Sequence, residues 1–347
     1  MKSLRRSKAT SGVLFVPPSV SIFGAAGFTG ALTARLLWRH PSFELRALTA
    51  RSDVGARLDE LYPHHRVPLE LQELDIDRHA DVDAAVVAYP HGAAAPLVAE
   101  LLERGVRVVD LSADFRLRDP VTYGEWYREH PVPQLLERAV YGLPELGYRD
   151  RIAEGDVVAN PGCYPTASLL ALAPLARAGV IEDVVIDAKS GVSGAGRAAS
   201  EKTHFVAVDE NVSAYGVPRH RHTPEIEQEL EALGAGVKVT FTPHLLPLDQ
   251  GELVSCYVRV RDGAPSDPGA LYDEAYGHER FVELSDAPPG VRDVRETNIC
   301  RISVHSDQRT GRVIVFAAID NLWKGAASQA VQNLNLMFGL PEGEGIS

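Results

Sequence analysis

Residues 19–30 read SVSIFGAAGFTG. Apolar residues dominate 20–23, the chain then reaches Gly24, and Gly27 and Gly30 follow at three-residue intervals as a helical pattern opens over 28–38. A strand that turns through glycines straight into a helix lets the backbone approach a ligand without side chains in the way. The helix N-terminus adds free N–H groups and a partial positive charge, which suit a pyrophosphate. The spacing is GxxGxxG rather than the GxGxxG of many dinucleotide turns. A plain strand-to-helix turn would also use glycines. The position of this trio in the first βα unit favours a dinucleotide.

Working outward, strands are expected at 43–49, 82–88, 106–111 and 157–159, with a helix at 93–103. Strands separated by helices pair in parallel through right-handed crossovers. The fold class is therefore α/β, with an N-terminal Rossmann-type doubly wound parallel sheet over residues 18–161. After Pro161 the rhythm changes. A long helix is expected at 163–178. Strands follow at 184–188, 237–242, 253–260, 299–304 and 313–319, with helices at 224–233 and 268–276. Clustered strands predict a second, antiparallel α+β domain over 162–321. An amphipathic helix at about 322–338 closes the chain, and residues 322–347 are assigned to the first domain. Residues 1–17, basic and then briefly apolar, read as a flexible extension too short in its apolar part for a signal peptide.

Composition narrows the partners. The chain has 347 residues, 45% hydrophobic and 24% charged, with a formal net charge of −12. So acidic a surface repels phosphate backbones and anionic lipid, which argues against nucleic acid and membrane. Cys163, Cys256 and Cys300 are widely spaced, with no CxxC pair, so neither a disulfide framework nor a structural zinc site is expected. A reducing cytoplasm fits.

The end of the second strand bears on which nicotinamide cofactor is bound. An NAD site places an acid there for the ribose 2′-hydroxyl. Residues 47–53 read ALTARSD, with Arg51 and Ser52 at that place. A cation and a hydroxyl suit a 2′-phosphate, so NADP(H) is favoured. Asp53 keeps NAD open.

Residues 160–166 read NPGCYPT. Pro161 and Gly162 form a turn that sets Cys163 at a helix N-terminus, at the carboxyl edge of a parallel sheet. The helix end is expected to lower the thiol pKa and make a nucleophilic thiolate, and nearby N–H groups can hold an oxyanion. Cys256 and Cys300 fall within strands and read as core. A partner base is sought in PRHRHTPEI, residues 218–226. Thr223 reads as an N-cap with Pro224 at the first helical position, and His220 and His222 precede them. Either imidazole can exchange protons with a hemithioacetal, and His222, beside the cap, is preferred. Two histidines spaced HxH also suit a metal, but no third ligand stands out. Arg116 and Arg197, in turn- or glycine-rich segments, are candidates to clamp a phosphate or carboxylate. Lys189 and Ser190 precede a phosphate-nest-like loop. Asn160 either orients an acyl carbonyl or stabilises its own turn.

NPGCYPT, DLSADFR (110–116), KSGVSGAGR (189–197), HRHTPEI (220–226) and AIDNLWKGAA (318–327) together resemble the N-acetyl-gamma-glutamyl-phosphate reductases. These are arginine-biosynthesis enzymes of the aspartate-semialdehyde-dehydrogenase superfamily. The resemblance spans residues 19 to about 339. It implies a Rossmann domain, a catalytic domain like that of glyceraldehyde-phosphate dehydrogenase, and NADP(H). By this resemblance Cys163 is the nucleophile and His222 the acid/base. Gly24, Ala25, Gly27, Phe28, Thr29 and Gly30 form the dinucleotide loop, with Arg51 near the 2′-phosphate. Ser193, Gly194 and Ala195 lie near the nicotinamide and Asn321 near the cofactor. Arg116, Asn160, Arg197 and His220 are expected around the substrate. The substrate is then a small acyl phosphate, with inorganic phosphate released. An antiparallel second domain can pair across a two-fold axis, so a homodimer or homotetramer is expected. Competing readings are a sibling reductase of aspartyl or carrier-bound aminoadipyl phosphate, a dehydrogenase of a non-phosphorylated aldehyde, and a non-catalytic NADP-binding sensor.

Overall fold

The computed structural model describes residues 16–346. The expected extension, residues 1–17, lies almost wholly outside the described residues. One sheet is built from β1 (Ser19–Phe23), β2 (Glu44–Thr49), β3 (Leu71–Gln72), β4 (Ala84–Val87), β5 (Arg107–Asp110), β6 (Val140–Tyr141) and β7 (Val157–Ala159). Its order is β3-β2-β1-β4-β5-β7-β6, and all its pairings are parallel. The helices around and between these strands are α1 (Phe28–Arg39), α2 (Leu58–Leu61), α3 (Ile76–His79), α4 (Ala95–Glu103), α5 (Pro120–Trp126) and α6 (Arg149–Glu154). This is the doubly wound arrangement expected. The order reverses at β1 and β4, and in such sheets ligands bind beyond the strand carboxyl ends at the reversal.

The second half contains α7 (Cys163–Arg177), β8 (Ile181–Gly191), α8 (Phe205–Val208), β9 (Ser213–Ala214), α9 (Thr223–Ala232), β10 (Val239–Leu246), β11 (Glu252–Val260), α10 (Gly269–Tyr276), β12 (Val282–Leu284), β13 (Cys300–Asp307), β14 (Arg312–Ile319) and α11 (Ser328–Met337). Its strands follow the order β12-β13-β14-β11-β8-β10-β9. The sheet is mixed, which corrects the expectation of an antiparallel one. β10 runs parallel to β8 and β12 parallel to β13. The β8–β10 connection carries α9, and a helical crossover returns the chain in the same direction. The closing helix also begins differently. Residues Trp323–Ala327 form a wide π turn before α11, a deformation that often marks functional sites. The strands β3, β6, β9 and β12 are too short for any periodicity to reveal.

Helix α7 is the axis of the second core. Every residue from Tyr164 to Ala176 is buried, in one hydrophobic cluster with residues of β8, β11, β13 and β14. Pro174 lies inside this helix, so the Leu170 carbonyl four residues earlier loses its backbone donor. The Tyr276 hydroxyl of α10 donates to that carbonyl at 2.7 Å, and the Tyr272 hydroxyl donates to Ala171 O at 2.6 Å. The same face of the molecule thus closes a gap the proline opens. On the first sheet, α11 packs through Ala330, Val331, Leu334 and Met337 into the cluster of Val20, Ile22 and Leu37.

Replacing Tyr276 with Phe should leave the Leu170 carbonyl buried without a donor and lower unfolding stability by about 1–3 kcal/mol. Urea denaturation checks this; an unchanged midpoint would show that the carbonyl needs no such partner.

Candidate active site

The glycine turn is shaped by packing at two positions and open at the third. Gly24 has φ +98°, and a Cβ there would lie 2.5 Å from Ala88 O. A Cβ on Gly30 would lie 2.4 Å from Gly24 O. At Gly27, the N-cap of α1, the nearest atom to such a Cβ is 4.0 Å away. The Gly24 and Ala25 N–H groups both donate to Thr49 O at 2.9 Å, so they hold the turn against β2. Phe28, Thr29 and Gly30 open α1, where N–H groups have no intrahelical acceptor. At the end of β2, Arg51 is exposed and lies 4.7 Å over the Tyr89 ring. It enters no ion pair among the described residues. Ser52 is exposed, and Asp53, the acid that kept NAD open, is ion-paired with Arg197. A free cation beside a neutralised acid fits a 2′-phosphate. Arg197, expected at the substrate, sits across this turn, reaching Asp53 and Ala26 O and lying 6.0 Å over Tyr62.

Cys163 is the first residue of α7 and Gly162 its N-cap. The residue is half-buried on the wall of a cleft of about 1030 Å³, shared with Tyr164, Ser190, Gly194, Ala195, His220 and His222. The His222 ring points at the cysteine turn. A Cβ on Gly162 would stand 2.6 Å from His222 Nε2 and 2.9 Å from an Arg116 terminal nitrogen. Holding these together is a residue that motif reading did not single out. Glu225, in the first turn of α9, is buried. Its carboxylate accepts the Gly162 N–H at 2.9 Å, the Tyr141 hydroxyl at 2.8 Å and Arg116 Nη1 at 3.4 Å. Arg116 also donates to Asn160 O and Leu111 O. One acid thus ties the cysteine turn to the helix that carries His222. From behind, a Cβ on Gly325 of the π turn would lie 2.8 Å from Cys163 Cβ. The buried Lys324–Glu145 pair, at 2.6 Å, anchors that turn.

The electrostatics overturn one expectation. The Cys163 thiol is pushed well above its usual range. Burial is the main cause, and the neighbouring Glu252 carboxylate adds to it. The helix-terminal Tyr164 N–H and Arg116 pull the other way and lose. At rest the group is a thiol, because desolvation of a sulfur anion outweighs a helix end. His222 is held well below its usual value by burial, then by His220 and Arg116. Its Nδ1 has no hydrogen-bond partner. His220 is lowered to about 4 by burial and by Arg221; its Nδ1 accepts the His222 N–H at 3.2 Å.

Several expected site residues are tethers. Asn160 does not face the cleft: its amide donates to Ala326 O at 3.2 Å and accepts from Asn333 at 3.0 Å. Asn321 donates to Ser193 Oγ at 3.0 Å and accepts the Gly251 N–H at 2.7 Å, so it holds the glycine loop of Ser193, Gly194 and Ala195. Lys189 turns back to Asp187, leaving Ser190 on the cleft wall. Thr223 is not the N-cap of α9: His222 is, and the Thr223 hydroxyl has no partner. Pattern reading also passed over His91, Arg219 and Arg221 on the cleft wall. Their neighbours in space come from distant sequence, which only the HxH spacing hinted at.

A parallel dinucleotide sheet, with a cysteine and a histidine meeting at its edge, defines an oxidoreductase of the semialdehyde-dehydrogenase class. Residues 19–155 match the model "Semialdehyde dehydrogenase, NAD binding domain" and residues 163–321 the model "Semialdehyde dehydrogenase, dimerisation domain". Among solved structures, aspartate semialdehyde dehydrogenase II of Vibrio cholerae, complexed with ASA, superposes with TM-score 0.71 at 21% identity over 93% of this chain and 99% of that one. The NADP-bound aspartate semialdehyde dehydrogenase of Candida albicans gives 0.68 at 16% identity, over 93% and 99%. The N-acetyl-gamma-glutamyl-phosphate reductase of Desulforudis audaxviator is 51% identical over 94% of this chain and 97% of its own. That of Rubrobacter xylanophilus is 50% identical over 94% and 98%. The chain belongs to the N-acetyl-gamma-glutamyl-phosphate reductase family.

Gly162→Ala should displace the His222 ring and cost about 10²-fold in kcat, the scale of an ångström-sized misplacement, as steady-state kinetics would show. His65, buried under α1, is lowered to about 4 by burial, as is His220. The unfolded chain takes up these protons below its usual value of about 6.5, while the folded chain resists until about 4. Stability is therefore full above about pH 6.5 and falls as pH drops toward 4. Urea unfolding across that window should show the loss, and His65→Gln should reduce its slope.

Proposed function

We propose that this chain reduces N-acetyl-gamma-glutamyl phosphate to N-acetylglutamate semialdehyde with NADPH, through a thioester on Cys163, releasing inorganic phosphate. The observation that carries the reading is the convergence of Cys163 and His222 on Gly162 at the wall of one cleft. The names of the relatives supply the substrate.

The cofactor's place is along Gly27 to Gly30, with Arg51 and Ser52 toward its 2′-phosphate and Gly194 and Ala195 toward its reactive end. Bound there, it supplies the hydride. The remaining work belongs to the chain. Arg219, Arg221 and Lys202 line the cleft as exposed cations and draw in a substrate carrying phosphate and carboxylate. Arg116, held beside Gly162, stabilises negative charge near the sulfur. As the Cys163 sulfur attacks the acyl carbon, its proton passes to neutral His222 and phosphate leaves with the C–O electron pair; a thioester remains, which splits one hard reduction into two easier steps. After hydride arrives at the thioester carbon, the oxyanion takes a proton from the His222 imidazolium to become the hemithioacetal hydroxyl, and when the C–S bond breaks the departing sulfur recovers a proton through the same imidazole. His222 is neutral at rest, so it can take the hydroxyl proton as the aldehyde departs. His220 fixes the backbone of His222.

The chain acts as a homodimer or homotetramer. The description of the model matching 163–321 and the exposed Phe205, Val206, Val212 and Val217 support this. Among the described residues no helix is long and apolar enough to cross a membrane, and the free cysteines suit the cytoplasm.

Cys163→Ser should abolish reduction by several orders of magnitude, and mixing the wild type with acyl phosphate without NADPH should add the acyl mass to Cys163. The reverse reaction should require inorganic phosphate, and aspartyl phosphate should turn over poorly. Arg51→Ala should raise KM for NADPH about tenfold or more, the scale of one lost charge-assisted bond, and leave NADH kinetics unchanged. Equal effects on both would refute the 2′-phosphate contact.

A further inference from the structure

Two cations flank the glycine turn, one from each half of the chain. Arg51 follows β2 and lies over Tyr89, the ring that a Cβ on Gly24 would approach to 3.0 Å. Arg197 comes from the other half, just past the loop of Ser193, Gly194 and Ala195. Its guanidinium crosses to the dinucleotide half. One terminal nitrogen donates to Asp53 Oδ2 and, at 3.4 Å, to Ala26 O; the other donates to Asp53 Oδ1 at 3.4 Å. The group lies over the ring of Tyr62, whose hydroxyl donates to the same Ala26 O at 2.8 Å. Both oxygens of Asp53 are thus engaged by one forked donor. The acid itself has little room to move. Its backbone holds φ +60°, a conformation that aspartate tolerates better than most residues. The Asp53 carbonyl accepts the Ala56 N–H at 3.1 Å, and the Gly55 N–H donates to Leu71 O of β3 at 2.8 Å. Asp53 is the first acid after β2. At that place an unpaired carboxylate accepts the ribose 2′-hydroxyl of NAD and repels a 2′-phosphate.

We propose that Arg197 sets the choice of nicotinamide cofactor: it clamps Asp53 and cancels the charge that would turn a 2′-phosphate away, leaving Arg51 to attract it. Arg197 acts through the acid rather than by touching the phosphate. Moving Asp53 aside would require undoing the turn pinned to β3, so the fold neutralises the acid in place. A forked guanidinium over an aromatic ring does this at the surface, where a single-point ammonium holds less firmly. Selection is therefore shared. The attracting cation stands on the first sheet, and the neutralising one belongs to the half that carries Cys163 and His222. Residues 51–53 by themselves contain both the cation that suits NADP(H) and the acid that suits NAD; the partner that decides between them lies 144 residues from Asp53. The inference deepens the proposed function and rests on its reading of NADPH as the hydride donor.

The test is the dissociation constant of NADPH and of NADH for the full-length protein without substrate, read by quenching of tryptophan fluorescence. Four proteins are compared: wild type, Arg197→Met, Asp53→Asn and the double variant. The two side chains are 36% and 27% exposed, so neither substitution empties the core, and asparagine also tolerates the backbone of position 53. The wild type should prefer NADPH. In Arg197→Met the Kd for NADPH should rise about tenfold, the scale of an unpaired charge a few ångströms from the phosphate, while NADH binds as before or more tightly. Asp53→Asn should bind NADPH at least as well as the wild type. The double variant should match Asp53→Asn to within about twofold, because with the acid gone Arg197 has nothing left to neutralise. A loss shared equally by NADPH and NADH would place Arg197 on the pyrophosphate, which both carry. A loss of NADPH that the double variant does not recover would place it on the 2′-phosphate itself. Either result overturns the proposal, as do four proteins with the same preference. A wild type that binds NADH as tightly as NADPH would refute the NADPH reading as well, whereas an NADPH preference that survives in Arg197→Met refutes only the role of Arg197.

Discussion

The carboxylate of Glu225 accepts the N–H of Gly162 and joins it to Arg116 and Tyr141. The cysteine turn ends the first sheet, and α9 belongs to the second half of the chain. Their common point is this buried acid, three residues beyond His222. A carboxylate taken out of water is tolerated when its oxygens are saturated by donors and a paired cation, and here they are. The arrangement leaves little freedom: a methyl group at Gly162 would strike both His222 and Arg116. Nucleophile and imidazole are placed by one charge-assisted contact rather than by the long loop between them.

The site is kept nearly uncharged at rest. Cys163 is a thiol, His222 is neutral and Glu252 titrates far above an ordinary carboxylate. The cause in each case is first of all burial. A dry pocket makes every later charge expensive and every nearby dipole strong. The cost is that the sulfur is not ready-made as an anion, and its proton must go somewhere close. The helix N-terminus contributes without deciding the outcome.

Much of the architecture was legible because it depends on local pattern. Strand, glycine turn and helix at 19–38 are contiguous, and NPGCYPT carries its own turn and helix start. The sequence reads Gly24 and Gly30 as leaving room for a ligand, and the structure shows them also required by the chain's own packing, with Ala88 O and Gly24 O 2.5 and 2.4 Å from where a Cβ would stand. What was not legible depends on partners distant in sequence. Glu225 and Glu252 look like ordinary helix and strand acids, and nothing local says they are buried. Arg197 lies in a glycine-rich loop that suggests phosphate, yet Asp53, 144 residues away, captures it. Asn160 and Asn321 are hydrogen-bonded to residues distant in sequence, which their own segments do not announce. The mixed second sheet was missed because the sense of β10 follows from its crossover, not from its own residues. The thiol's ionisation was misjudged for a like reason, since a helix end is visible in sequence and a desolvated pocket is not.

The most direct test of this account is the rate at which Cys163 becomes acylated in Glu225→Gln, followed by rapid quenching and mass measurement of the enzyme. Glutamine keeps the size of the side chain but removes the charge that holds Arg116 and Gly162. The account predicts a fall of about 10²-fold with NADPH affinity unaltered. An acylation rate equal to that of the wild type would contradict it.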